Sequence, residues 1–143
     1  MVWICTLCNM ARIVLDTNCL IQSIPRHSRY HIVWQSFVSG KNTLCVSNEI
    51  LDEYVEIIQR LVNYEVAEYI VKTIINSPFT EFIVPFYKFQ LIEADPDDNK
   101  FVDCAIAAQA KCIVTNDRHY DILSSVEFPH VEYVSLDEFI KTL

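Results

Sequence analysis

Short, mostly apolar runs separated by stretches with helical spacing constrain this chain more than any other feature. Arg12 to Leu15, Thr43 to Val46, Cys112 to Val114 and Val131 to Val134 are too short for helices. Apolar residues fall mostly on consecutive positions in them, as expected of strands buried on both faces. Between them lie helical patterns. His31 to Val38 has Ile32, Val33, Ser36 and Phe37 on one side, with Gly40 as a stop. Ser47 can cap a helix running to about Leu61, with Ile50, Tyr54, Ile57, Ile58 and Leu61 inward. Asn63 to Asn76 is another helix, ended by Ser77-Pro78. Glu81 to Phe86 reads as a strand, and Pro85 points to an edge position or a strand end. A turn, Ala94 to Asn99, leads into a helix from Asn99 to about Lys111, and Ser135 caps a last helix, Leu136 to Ile140. Strands alternating with helices predict an α/β chain with a mostly parallel sheet covered on both faces.

The 143 residues are 52% hydrophobic, without repeat or linker, which predicts one packed domain. "MARIVLDTN" at Met10 is a natural start, so residues 1–10 read as an N-terminal extension and residues 11–143 as the domain. The extension is too short and too weakly basic for a signal peptide. No apolar stretch reaches the ~18 residues that suggest a membrane span. Cys19, Cys45, Cys104 and Cys112 lie in or beside apolar runs and read as small core residues. Cys5 and Cys8 form a C-x-x-C without the second pair that a zinc site would need. Reduced cysteines without an export signal predict a cytoplasmic protein.

Gly40 is the only glycine. Dinucleotide-binding turns, P-loops and kinase loops need several, to bring backbone N–H groups against phosphates. Phosphate chemistry here would have to run on side chains or metal ions. The net charge of −8 opposes non-specific nucleic-acid binding. Bound divalent cations would offset it locally, and a basic protein partner would suit it.

Two strands finish alike. "RIVLDTN" and "KCIVTND" are apolar runs ending in an aspartate beside a threonine and an asparagine. In an open parallel sheet the functional crevice lies outside the carboxyl ends of the strands, so Asp16 and Asp117 both point there. Carboxylates that close repel, and a divalent cation removes the conflict. Glu53 lies between Ile50 and Ile57 at the border of an apolar face, whereas Glu49 is explained by the helix dipole. Asp103 sits within "FVDCAIAAQA", an unfavourable helix interior for an unpartnered aspartate. Asn99 is its neighbour one turn back. Asp98 precedes that helix as a candidate N-cap, with Asp97 competing. His27 and His31 read as surface or loop residues, and Trp34 and Tyr54 as core or interface residues.

The order of a strand ending in D-T-N, a helical glutamate after a short "VS" strand, an aspartate before "AIAAQA", and "IVTNDRHY" resembles the PIN domain, from Ala11 to the end of the chain. "DPDDNKFVDCAIAAQAKCIVTND" is similar to the subgroup described as toxin components of toxin–antitoxin pairs. The resemblance implies a Rossmann-like three-layer α/β/α sandwich and an endoribonuclease that hydrolyses single-stranded RNA with Mg²⁺ or Mn²⁺. It carries the family's acidic quartet to Asp16, Glu53, Asp103 and Asp117, and an extra acidic position to Asp98. Asn18, Asn99, Thr115 and Asn116 are the supporting polar positions. The spacing from Asp103 to Asp117 is shorter than in many family toxins, which leaves open whether Asp98 or Asp103 is the better ligand. Lys111 and Cys112 stand where the family often has a glycine.

The mechanism expected is metal-assisted hydrolysis. One cation would sit on Asp16 and Asp117 with Asp103 or Asp98, and a second near Glu53. Expected partners are RNA, an antitoxin protein and a second copy of the chain, because Leu51 to Ile75 holds more apolar residues than two helix faces can hide. Two other classes compete: a catalytically silent PIN-like scaffold, and a metal-dependent phosphatase. The haloacid-dehalogenase form of the latter needs D-x-D-x-[TV], and "DTNCL" lacks its second aspartate.

Overall fold

A computed structural model of the protein describes residues 10–143. The Cys5–Cys8 pair and nearly all of the expected extension lie outside the described residues. Five strands, β1 (Ala11–Leu15), β2 (Asn42–Val46), β3 (Thr80–Phe82), β4 (Cys112–Val114) and β5 (Tyr133–Val134), form one sheet in the order β3-β2-β1-β4-β5. Every pairing is parallel. Six helices connect or flank them: α1 (Thr17–Ser23), α2 (His31–Val38), α3 (Asn48–Leu61), α4 (Tyr64–Asn76), α5 (Asn99–Ala108) and α6 (Leu136–Ile140). The α/β sandwich expected from the alternating pattern is the one observed.

Ile13, Val14 and Leu15 are all buried, as are Cys112, Ile113 and Val114. Successive strand residues point to opposite faces, so both faces of the central strands are covered. Each such side chain contributes about 1.5–3 kcal/mol relative to exposure. Tyr54 and Trp34 are core residues as expected. The Tyr54 hydroxyl donates to the Leu15 carbonyl, pinning the end of β1 to α3. Cys19, Cys45, Cys104 and Cys112 are buried free thiols, and burial pushes Cys19 and Cys104 up to about 12.

Ser47 and Ser135 cap α3 and α6, and Asn63 caps α4. Three elements differ from the sequence expectation by two residues or more at one end. Strand β3 covers Thr80–Phe82 rather than Glu81–Phe86. It is the edge strand, and Pro85 has no N–H with which to extend the ladder. Helix α5 stops at Ala108, because Gln109 takes a left-handed conformation (φ 52°) and the Ala110 N–H closes onto Ala105. Strand β5 keeps only Tyr133–Val134 of the expected run. Helix α1, where sequence suggested only a break after β1, begins directly at the strand end, with Asp16 accepting from the Thr17 N–H. Among the described residues, no helix is long and apolar enough to cross a membrane.

Gly40 closes α2 with paired bonds, its own N–H to Phe37 and that of Lys41 to Ser36. Its φ is +84°, and a β-carbon there would lie 2.6 Å from the Phe79 ring. Gly40→Ala is therefore expected to destabilise the protein by about 1–3 kcal/mol. Denaturant unfolding should show a lower midpoint at unchanged slope. An unchanged midpoint would mean that the turn relaxes freely.

Candidate active site

The strand order reverses direction between β1 and β4, the first strand leading away toward β2 and β3, the fourth toward β5. A crevice opens beyond the carboxyl ends of strands at such a point. Leu15 pairs with Val114, so the two aspartate-bearing ends emerge side by side, as the sequence predicted. The Asp16 N–H continues the ladder to the Val114 carbonyl at 3.0 Å.

Asp16 is buried and rigidly held. One oxygen accepts from the Thr17 N–H and the other from the Thr115 hydroxyl, both at 2.8 Å. Burial raises its carboxyl above the ordinary range against these two bonds, and the charges of Glu53 and Asp117 raise it further. Thr115 also accepts from the Asp117 N–H at 3.1 Å, so one threonine fixes both strand-end acids. Asp117 itself accepts from the His119 N–H at 2.8 Å.

Asp98 joins this pair. It follows Pro96 in a single 3₁₀ turn that Asp95 caps, and its own side chain makes no capping bond to α5. The capping role that the sequence offered is thus unused. Asp98 is 8% exposed, and its Oδ2 is buried without a hydrogen-bond partner. Its carboxyl is pushed up to about 7, first by burial, then by the charges of Asp16, Asp95 and Asp117, with His119 opposing. An orphaned carboxylate oxygen costs roughly 1–3 kcal/mol or more, and a cation removes that cost. The donor set is all hard oxygen, which suits Mg²⁺ or Mn²⁺.

Asp103 is not brought to this cluster. It is buried, accepts from the Phe89 N–H at 3.1 Å, and has Glu49 and Lys88 as its charged neighbours. Asp98 stands in the 3₁₀ turn before α5 and Asp103 more than one turn inside α5, so the two carboxylates leave the chain in different directions.

Glu53 reaches the Asp16 region from α3 but is already engaged. The Thr17 hydroxyl donates to one oxygen, and the Lys100 ammonium lies 2.7 Å from the other. Burial lowers the Lys100 ammonium and Glu53 more than compensates, so its proton is held more tightly than usual. The second cation expected near Glu53 meets an ammonium in that position.

Among the supporting positions, Thr115 bonds to both strand-end aspartates. Asn116 instead accepts from the Leu136 N–H at 3.0 Å and secures the start of α6. Asn99 makes two 2.9 Å bonds to the backbone of Ile92, tying the incoming chain to α5. Asn18 is exposed on α1. Sequence reasoning passed over Asp95, Lys100 and His119. The available signals were the D-x-x-D of Asp95 and Asp98 and the D-x-H of Asp117 and His119.

Carboxylates converge beyond the central strands of a parallel sheet, with one buried oxygen left unpaired, and make the switch point of this α/β domain a candidate cation site. The family model for the PIN domain matches residues 12–119, and the chain belongs to this family of nucleases. No curated protein sequence matches it. Its fold is similar to that of VapBC2 from Rickettsia felis, solved bound to a DNA fragment from the promoter of that pair. The TM-score is 0.59 at 20% identity, over 87% of this chain and 98% of that one. VapBC-1 from nontypeable Haemophilus influenzae is similar with a TM-score of 0.58 at 13% identity, over 88% and 98%. At these identities the likeness concerns the fold.

Proposed function

We propose that the chain is a divalent-cation-dependent endoribonuclease that hydrolyses single-stranded RNA, with Mg²⁺ or Mn²⁺ held by Asp16, Asp98 and Asp117. The observation that carries this reading is the unpartnered, buried Asp98 Oδ2 in electrostatic contact with the two strand-end aspartates. When bound, the cation supplies an acidified water and charge stabilisation at the phosphate.

The chain's own residues do the positioning. Thr115 holds Asp16 and Asp117 in fixed relation through its hydroxyl. Thr17 holds Asp16 through its N–H and Glu53 through its hydroxyl. Lys100 neutralises Glu53 and lowers the negative potential that a phosphate would otherwise meet. Asp103 secures the Phe89 backbone beside the site rather than meeting substrate.

We further read the protein as the cytoplasmic toxin of a toxin–antitoxin pair. The VapBC-like fold supports this, as does the −8 charge, which suits a basic antitoxin segment. Leu61, Val62, Tyr64, Tyr69 and Ile75 are exposed on or beside α3 and α4, which favours self-association. Light scattering should give at least a dimer mass, and a strict monomer at high concentration would remove that part of the reading.

The test of the activity is incubation of end-labelled single-stranded RNA with the purified protein. Internal cuts should appear with Mg²⁺ or Mn²⁺ and vanish with chelator. Duplex RNA should be cut far more slowly. Cutting that survives chelation, or no cutting with either metal, would overturn the proposal.

A further inference from the structure

The His119 imidazole lies where three carboxylates converge, and none of the described hydrogen bonds involves its ring. Its Nδ1 is 3.3 Å from Asp117 Oδ1, 3.6 Å from Asp98 Oδ2 and 3.9 Å from Asp95 Oδ2. These separations exceed the 2.7–3.2 Å range typical of N–H···O hydrogen bonds. They approach the spacing of ligand atoms around one ion, since atoms about 2.0–2.2 Å from a cation lie about 3.0–3.6 Å from one another. One ligand atom each from Asp95, Asp98 and His119 falls within a mutual distance of 4.8 Å. The Asp98 oxygen nearest the imidazole is the one that is buried and unpartnered.

We propose that Asp95, Asp98 and His119 form a second cation position, sharing Asp98 with the first, whose imidazole makes it select Mn²⁺ over Mg²⁺. The inference rests on the cation-binding reading of the Asp16 cluster. Mg²⁺ keeps to oxygen ligands and gives up its waters reluctantly. First-row transition cations accept imidazole nitrogen readily. The position is also the one left to a second ion once the Lys100 ammonium has engaged Glu53. The His119 side chain is 46% exposed, so it can be replaced without disturbing the core.

The opposite role is physically distinct. If His119 only lends positive charge to the carboxylates, it competes with every cation, and its removal tightens Mg²⁺ and Mn²⁺ binding alike.

The experiment is calorimetric titration of metal-free protein with Mn²⁺ alone and with Mg²⁺ alone, for the parent, His119→Ala and Asp16→Asn. The parent should bind one more Mn²⁺ than Mg²⁺ per chain. His119→Ala should lose that extra ion, or weaken it at least about tenfold, the scale on which even outer metal partners act. Its Mg²⁺ binding should change little. Pulsed electron paramagnetic resonance of the Mn²⁺-loaded parent should show nitrogen-14 modulation from a coordinated imidazole, absent in His119→Ala. Unchanged Mn²⁺ binding in His119→Ala, tightened binding of both metals, or nitrogen modulation that persists would each overturn the proposal. Asp16→Asn separates it from the reading beneath it. That variant should lose the Mg²⁺ position while keeping the nitrogen signal, and a parent that binds no Mg²⁺ counts against the Asp16 cluster alone.

Discussion

Asp16→Asn is expected to lower RNA cleavage by about a thousandfold or more while leaving the fold intact. A catalytic cation contributes several kcal/mol of charge stabilisation, and each 1.4 kcal/mol or so is tenfold in rate. The asparagine oxygen can still accept from the Thr17 N–H, and the Thr115 hydroxyl can turn to accept from the new amide. What disappears is a buried charge that Glu53 and Asp117 repel. In chelator, the variant should therefore melt at or above the temperature of the parent. Metal should separate the two proteins further. At a hundredfold excess over Kd, a bound cation stabilises the folded state by about 2.7 kcal/mol. In a domain of this size that is a rise of about 5–10 °C. The parent should show it and Asp16→Asn should show much less. If Asp16 were only a helix cap, asparagine would serve as well. Cleavage would then be normal and metal would do little to either protein. A variant that cuts at the parental rate would falsify the assignment.

The second large effect is a contrast between Asp98, in the turn before α5, and Asp103, inside it. Asp98→Asn should cost cleavage on the scale of Asp16→Asn, whereas Asp103→Asn should stay within about threefold of the parent, its amide oxygen still accepting from the Phe89 N–H. Stability against pH gives an independent readout. The Asp98 carboxyl is raised from 3.8 to about 7 in the folded, metal-free protein. Between those values the folded state holds a proton that the unfolded state has released. The stabilisation is complete below about pH 4 and is lost as pH rises through about 7, with a slope of at most about 1.4 kcal/mol per pH unit. Urea unfolding of metal-free protein at pH 5 and pH 8 should show this loss, and Asp98→Asn should flatten it. A parent no more stable at pH 5 than at pH 8, or cleavage that fails in Asp103→Asn and survives in Asp98→Asn, would reverse the assignment.

The sheet and the strand-end aspartates were legible because the relevant signals are local. Apolar runs, serine caps and Gly40 each act within a few residues, and parallel strands bring like ends together. The identity of the third acid was harder. Asp98 and Asp103 both sit among plausible family positions, and the surrounding letters "AIAAQA" drew attention to Asp103. The short interval from Asp103 to Asp117 was the discordant sign. The pairing of Lys100 with Glu53 had no local signal, since it arises from contact between separate elements, whereas His119 was marked only by its D-x-H spacing to Asp117. Asn99 and Asn116 looked like site residues because polar groups cluster there, but their amides satisfy backbone at Ile92 and Leu136. Helix α1 was hidden because Asp16 ends a strand and caps a helix at the same position.

The bond from Thr115 to Asp16 spans 99 residues of chain. Synthesis proceeds from the N-terminus, and domains complete their folding only when their last elements are available. A nascent chain that has reached Lys111 already carries Asp16, Glu53 and Asp98, yet it lacks β4, which borders the first strand, and the threonine that aligns the two strand-end acids. The cluster therefore cannot assemble until β4 and Thr115 have been made.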